Sequence, residues 1–73
     1  MEWVYSENQD AYLAGTTRYG CGVFKDLGPD SITWSANVVY AGNIICIDNL
    51  ATKEQAMEEA EKEFVRLEEK FKQ

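Results

Sequence analysis

The segment Gly15-Thr16-Thr17-Arg18-Tyr19-Gly20-Cys21-Gly22 is where the residue types of this sequence first suggest chemistry. Its glycines would let backbone amides face an anion, with Arg18 to assist. But no glycine run here leads into a helix, and the Lys-Ser/Thr pair of a phosphate loop is missing, so a bent β segment is the plainer reading. Cys21 sits between two glycines and is a candidate nucleophile. A reactive thiolate needs a neighbouring base or a helix N-terminus. The chain contains no His, which removes the commonest general base and metal ligand. The neighbouring cations are Arg18 and Lys25. Cys46 lies in the apolar run Ile44-Ile45-Cys46-Ile47 and reads as structural. Two Cys without His do not complete a zinc site unless carboxylates or a second subunit contribute. Asp26, Asp30 and Asp48 are the non-helical acids that could pair for proton transfer. Asp26 and Asp30 flank the turn around Pro29, where Asp commonly serves its own backbone. The expectation is therefore a non-enzyme with no cofactor and no metal.

Binding is the better use of these residues. The 73 residues carry 13 acids against 7 bases, a formal net charge of −6. That disfavours phosphate contacts, and so direct nucleic-acid binding, and it disfavours anionic membrane surfaces. It favours a basic protein partner, drawn in by long-range attraction that salt would screen. Glu54, Glu58, Glu61, Asp26 and Asp30 are the candidates for charge contacts. Trp3, Tyr12 and Tyr19 are the candidates for anchors, because exposed Trp and Tyr beside acids suit an interface hot spot. The start Met1-Glu2-Trp3-Val4-Tyr5 has no basic segment and no apolar stretch of signal length, which points to a cytoplasmic protein with reduced thiols.

The elements that must hold these residues are legible in part. Thr52-Lys53-Glu54-Gln55 fits a capping box, with Thr52 as N-cap. From Lys53 to about Lys72 good helix formers dominate, and Met57, Ala60, Phe64, Leu67 and Phe71 recur at steps of three and four. This predicts one long C-terminal helix with a narrow apolar stripe. Glu58 is spaced to pair with Lys62. Before the helix, Ile32 to Tyr40 alternates apolar and polar, as a half-buried strand does. Gly42-Asn43 reads as a two-residue hairpin turn, placing Tyr40 opposite Ile45 and Val38 opposite Ile47. Those residues would share the helix-facing side with Ile32, Trp34 and Ala36. The reverse face, with Thr33, Ser35, Asn37, Val39, Ile44 and Cys46, is half apolar. Trp3-Val4-Tyr5 and Ala11 to Ala14 read as short strands, and the path from Gly15 to Lys25 as one bent strand or two short ones. The fold class is α+β over a single domain, residues 1–73. An antiparallel sheet of four to five strands, all within 2–48, packs one face against a helix at about 53–72.

From Ile32 to the C-terminus, the Trp-containing alternating strand, the tight hairpin and Asn49 to Glu61 resemble small acidic sheet-plus-helix proteins of phages and prophages. Some of those are inhibitors of host defence proteins. Asp10 to Ala14 and the helix start at Thr52 more faintly resemble pieces of the HicB-type antitoxin domain. Both resemblances imply a small acidic protein that neutralises a partner. The functional expectation is a non-catalytic inhibitor of a basic macromolecule, a host nucleic-acid enzyme or defence nuclease, acting in the host cytoplasm. The alternative is a structural homo-oligomer, such as a homodimer through the face around Val39, Ile44 and Cys46, or an antitoxin-like interaction module.

Overall fold

The long alternating segments pair with their sequence neighbours. In the computed structural model, which describes residues 2–72, β1 (Trp3–Ser6), β2 (Ala11–Gly15), β3 (Tyr19–Leu27), β4 (Ile32–Tyr40) and β5 (Asn43–Leu50) precede one helix, α1 (Lys53–Phe71). The five strands form one sheet in the order β1-β2-β3-β4-β5, with every neighbouring pair antiparallel. The glycine-rich stretch resolves into a turn at Thr16–Arg18 followed by nine uninterrupted residues of β3.

The β4–β5 turn differs from expectation. Ala41-Gly42 forms the turn, with φ of 48° and 88°. Positive φ at both central residues is the hairpin geometry that matches strand twist, and Gly42 adopts it without a Cβ penalty. Tyr40 therefore pairs with Asn43, and Val38 with Ile45. The register is displaced by two residues from the one expected. Since side chains alternate with period two, every residue keeps its face.

β5 also runs two residues further than expected. An irregularity between Trp34 and Ala36 skips Asp48 and Asn49, and Asn49 takes a φ of 61°. This bulge returns Leu50 to the helix-facing side opposite Trp34. Two residues later the chain enters α1. Thr52 Oγ1 accepts a 3.0 Å hydrogen bond from the Gln55 N–H, and Gln55 Oε1 accepts one of 3.0 Å from the Ala51 N–H. The capping residues named from sequence thus close the helix N-terminus, although Gln55 reaches the residue before the cap.

The core lies between α1 and the middle of the sheet. Cys21, Val23, Ala36, Val38 and Leu50 meet Ala56, Ala60 and Leu67, with Trp3, Trp34, Met57 and Phe64 packed around them. Ala56 and Ala60 are small enough to bring the helix down onto β3 and β4. Each fully buried Val contributes about 1.5–3 kcal/mol relative to exposure. The opposite face of the sheet carries no covering element among the described residues.

Ile32 departs from expectation. It shares the register side of the core but is 53% exposed. Ala11 at the start of β2 pairs with Phe24, and Leu50 at the end of β5 pairs with Trp34. Beyond those residues β3 and β4 continue alone, and α1 begins level with Trp34. Ile32 and its partner Leu27 thus stand on a two-stranded arm past the end of the helix.

Candidate functional site

The geometry separates the expected site residues into those that hold the fold together and those that face solvent. Trp3 and Glu61 belong to the first group. Trp3 Nε1 donates a 2.9 Å hydrogen bond to Glu61 Oε1, and both residues are half-buried. Tyr12 is also half-buried. Its ring lies 5.1 Å from that of Tyr5, and the Lys53 ammonium sits 4.6 Å above it. These contacts tie β1, β2 and the helix start into one cluster. They also occupy surfaces that the sequence suggests as anchors.

Tyr19 is exposed but not isolated. Its ring meets Tyr40 edge-on at 5.1 Å, and Tyr40 in turn contacts Phe64 and Phe71. These four aromatics secure the far end of α1 against β3 and β4.

Glu54 and Glu58 are exposed on α1. The acidic charge of the helix is partly offset. Lys62 lies 3.5 Å from Glu58 and 3.7 Å from Glu59, and Arg66 lies 2.6 Å from Glu63. Exposed helix pairs of this kind add only a few tenths of a kcal/mol, but they dilute the negative field of the outer face. The Glu58–Lys62 pair is the one expected from spacing.

Asp26 and Asp30 are exposed on and beside the arm, where Leu27 is 78% and Ile32 53% exposed on the face opposite Asp26. The arm tip is closed by a 2.9 Å bond from the Gly28 N–H to the Ser31 carbonyl. This pairing of exposed aliphatics with acids escapes sequence reading. Alternation alone puts Ile32 in the core. The signal that could have found it is the shortness of the strands on either side of β3 and β4.

Cys21 is not an activated thiol. It is buried under α1, its Sγ donates to the Ala60 carbonyl at 3.7 Å, and desolvation, with the Glu61 charge adding to it, pushes its pKa up to about 11. Cys46 is exposed on the opposite face of the sheet. The two thiols stand on opposite sides of one layer and cannot bridge within a chain. Tyr5 is the other shifted group. Its hydroxyl donates a 2.6 Å bond to Asp10 Oδ1, and that bond raises its pKa. Among the described residues no three acids or cysteines converge in a way that could hold a metal ion. None of their helices is long and apolar enough to cross a membrane.

The open face of the sheet carries a shallow groove of about 350 Å³ lined by Leu13, Phe24, Val39 and Asn37 over Gly20 and Gly22. Gly20 has no room for a side chain, since a Cβ there would lie 2.4 Å from the Ala14 carbonyl oxygen. The glycines therefore let the Ala14–Thr16 backbone close over Gly20 and let the Phe24 ring and Leu13 lie over Gly22, and both glycines are buried. The groove offers no charged side chain to fix an anion. Comparison of the chain with protein-family models, with curated proteins and with solved structures finds no match to any of them.

Proposed function

We propose that this chain is a non-catalytic acidic binding protein that inhibits a basic macromolecular partner, with a nucleic-acid enzyme or defence nuclease of the host cytoplasm as the class that fits its charge. The observation that carries the reading is the β3–β4 arm. Leu27 and Ile32 form an exposed aliphatic pair beyond the reach of the helix; Asp30 stands in the turn that follows Leu27, and Asp26 lies on the reverse side of the same arm. Exposed aliphatic side chains that a partner can desolvate, with charge at their margin, suit the centre of an interface. The acids of the arm, with Glu54 on the helix, supply attraction for a basic surface and raise the association rate more than the final affinity. The Cys21 thiol, buried under the helix with its pKa raised, supports the non-catalytic part of the reading.

The test is capture from host lysate with the tagged chain at low and high salt, in parallel with a Leu27→Asp/Ile32→Ser variant. Retention of one basic protein at low salt, weaker at high salt and lost with the arm variant, is the expected result. Equal retention by the variant, or retention insensitive to salt, would reject the arm as the binding element. Fluorescence-detected melting verifies that the variant is folded, as substitutions at such exposed positions generally change stability by less than about 0.5 kcal/mol.

A further inference from the structure

The sheet has one face under α1 and one face under nothing. Cross-strand register puts Val4, Leu13, Phe24, Val39, Ile44 and Cys46 on the open side, alongside Ser, Thr, Asn and Gly. Among the described, cross-strand-paired positions of that face, Asp26 at the arm is the charged one. Asp48 lies in the β5 bulge at the edge of the sheet and Glu2 just before β1; the other acids lie on the helix and in the turns.

We propose that a second copy of this chain covers the open face, in a two-fold dimer whose sheets pack face to face and whose helices lie outside. Three observations select this occupant. The first is the distribution of charge. Each chain carries a net charge of −6, so two copies can approach closely only through a face that carries almost none of it. That face is the open side of the sheet. A basic protein or an anionic ligand finds nothing there to pair with, since depletion of charge marks an interface core.

The second is area. The described chain exposes 5175 Å². A folded monomer of 8.3 kDa is expected to expose about 4,600 Å². The excess of about 600 Å² matches the per-subunit burial of the smaller specific interfaces. The sheet itself sets a similar figure. Strands of four, five, nine, nine and eight residues, at about 3.3 Å rise and about 4.8 Å spacing, give a plan area of about 550 Å² before side-chain corrugation is counted.

The third is shape. Sheets that pack face to face interdigitate their side chains across about 10 Å. The groove among Leu13, Phe24, Asn37 and Val39 is a recess of about 350 Å³ on this face, and Ile44, 69% exposed, projects from β5 on the same face. A two-fold axis that sets Ile44 of one copy against the recess of the other repeats the same contact in reverse, so one fit is made twice.

Sedimentation equilibrium of the full chain from micromolar to millimolar concentration tests this, with Ile44→Lys and Val39→Lys/Ile44→Lys variants beside it. The expected mass of the natural chain is twice 8.3 kDa, falling to one chain on dilution. Ile44→Lys should weaken association at least about tenfold, as loss of an interface anchor does. Its high exposure keeps its folding out of question, so the result stands even where the double variant is unstable. A Leu27→Asp variant should leave the dimer intact, because Leu27 lies on the helix-facing side of the arm, away from the open face. That control separates this proposal from the arm-mediated inhibition. A chain that stays at 8.3 kDa up to millimolar concentration, or an Ile44→Lys dimer of undiminished affinity, overturns the proposal. So does a rate of Cys46 alkylation that stays the same while the mass doubles.

Discussion

Trp3 and Glu61 are 58 positions apart in sequence, yet the indole N–H donates to the carboxylate at 2.9 Å. This bond pins the edge strand β1 to the helix that covers the sheet. The edge strand is only four residues long, and short edges fray unless something ties them down. Trp3→Phe keeps most of the ring and removes the donor. The expected loss is about 1 kcal/mol, at the low end for a bond to a charged group because the site is partly solvated. The shift in urea midpoint measures it. An unchanged midpoint would show that packing alone holds β1.

Gly20 and Gly22 lie two residues apart on the same face and should respond unequally to a methyl group. A Cβ at Gly20 would meet the backbone oxygens of Ala14 and Thr16 at 2.4 and 2.5 Å, neither of which can move without breaking the β2–β3 turn. A Cβ at Gly22 meets the ring of Phe24 at 3.1 Å and a methyl of Leu13 at 3.3 Å. Both are ends of side chains that can shift. Gly20→Ala should cost more than about 2 kcal/mol and Gly22→Ala less than about 1 kcal/mol. Comparable melting temperatures for the two variants would contradict the difference in surroundings.

Ala41 occupies a left-handed position, with φ of 48°, at the first place of the β4–β5 turn. Alanine pays about 1–2 kcal/mol there, whereas Asn tolerates it and Asn-Gly is the favoured pair for this turn. Ala41→Asn should stabilise the chain by about 0.5–1 kcal/mol. Thermal unfolding reports the gain, and a lower melting temperature would show that the turn is not under this strain.

Burial under the helix raises the Cys21 pKa from the ordinary thiol value of 9.0 to about 11. The folded state therefore holds a proton that the unfolded state releases more readily. This contribution is whole below pH 9 and is lost as pH climbs through about 11. Stability should decline across that window, and Cys21→Ala should make the decline shallower. The comparison requires melts of both proteins from neutral to strongly alkaline pH. Parallel curves would place the alkaline loss elsewhere.

Much of the fold is legible in the residues because it is local. The strand Ile32–Tyr40 and the Thr52 cap follow from alternation and hydrogen-bonding chemistry within a few positions. The turn register is less so. Gly42 suits the first place of one turn type and the second place of another, and the backbone chose the second. Parity saved the assignment of faces. Ile32 escaped because its exposure depends on where β2 and β5 stop, which its own periodicity does not encode. Trp3 and Glu61 look like free contacts for the same reason: nothing near either of them in the chain announces the other. The exposed arm that carries Leu27, Ile32, Asp26 and Asp30 is a property of unequal strand lengths rather than of any motif.

The order β1-β2-β3-β4-β5 followed by α1 has a kinetic consequence. Each strand pairs with the one made just before it, so no pairing must wait for a distant segment to arrive. Loop closure at every hairpin spans only a few residues, and its entropy is small. Proteins built from such short-range pairings fold faster than sandwiches of equal size. The sheet can zip from any hairpin, with β3–β4 the longest and best placed to begin. Docking of α1 then shields Val23 and Val38 from water, and the bond between Trp3 and Glu61 joins the first element to the last.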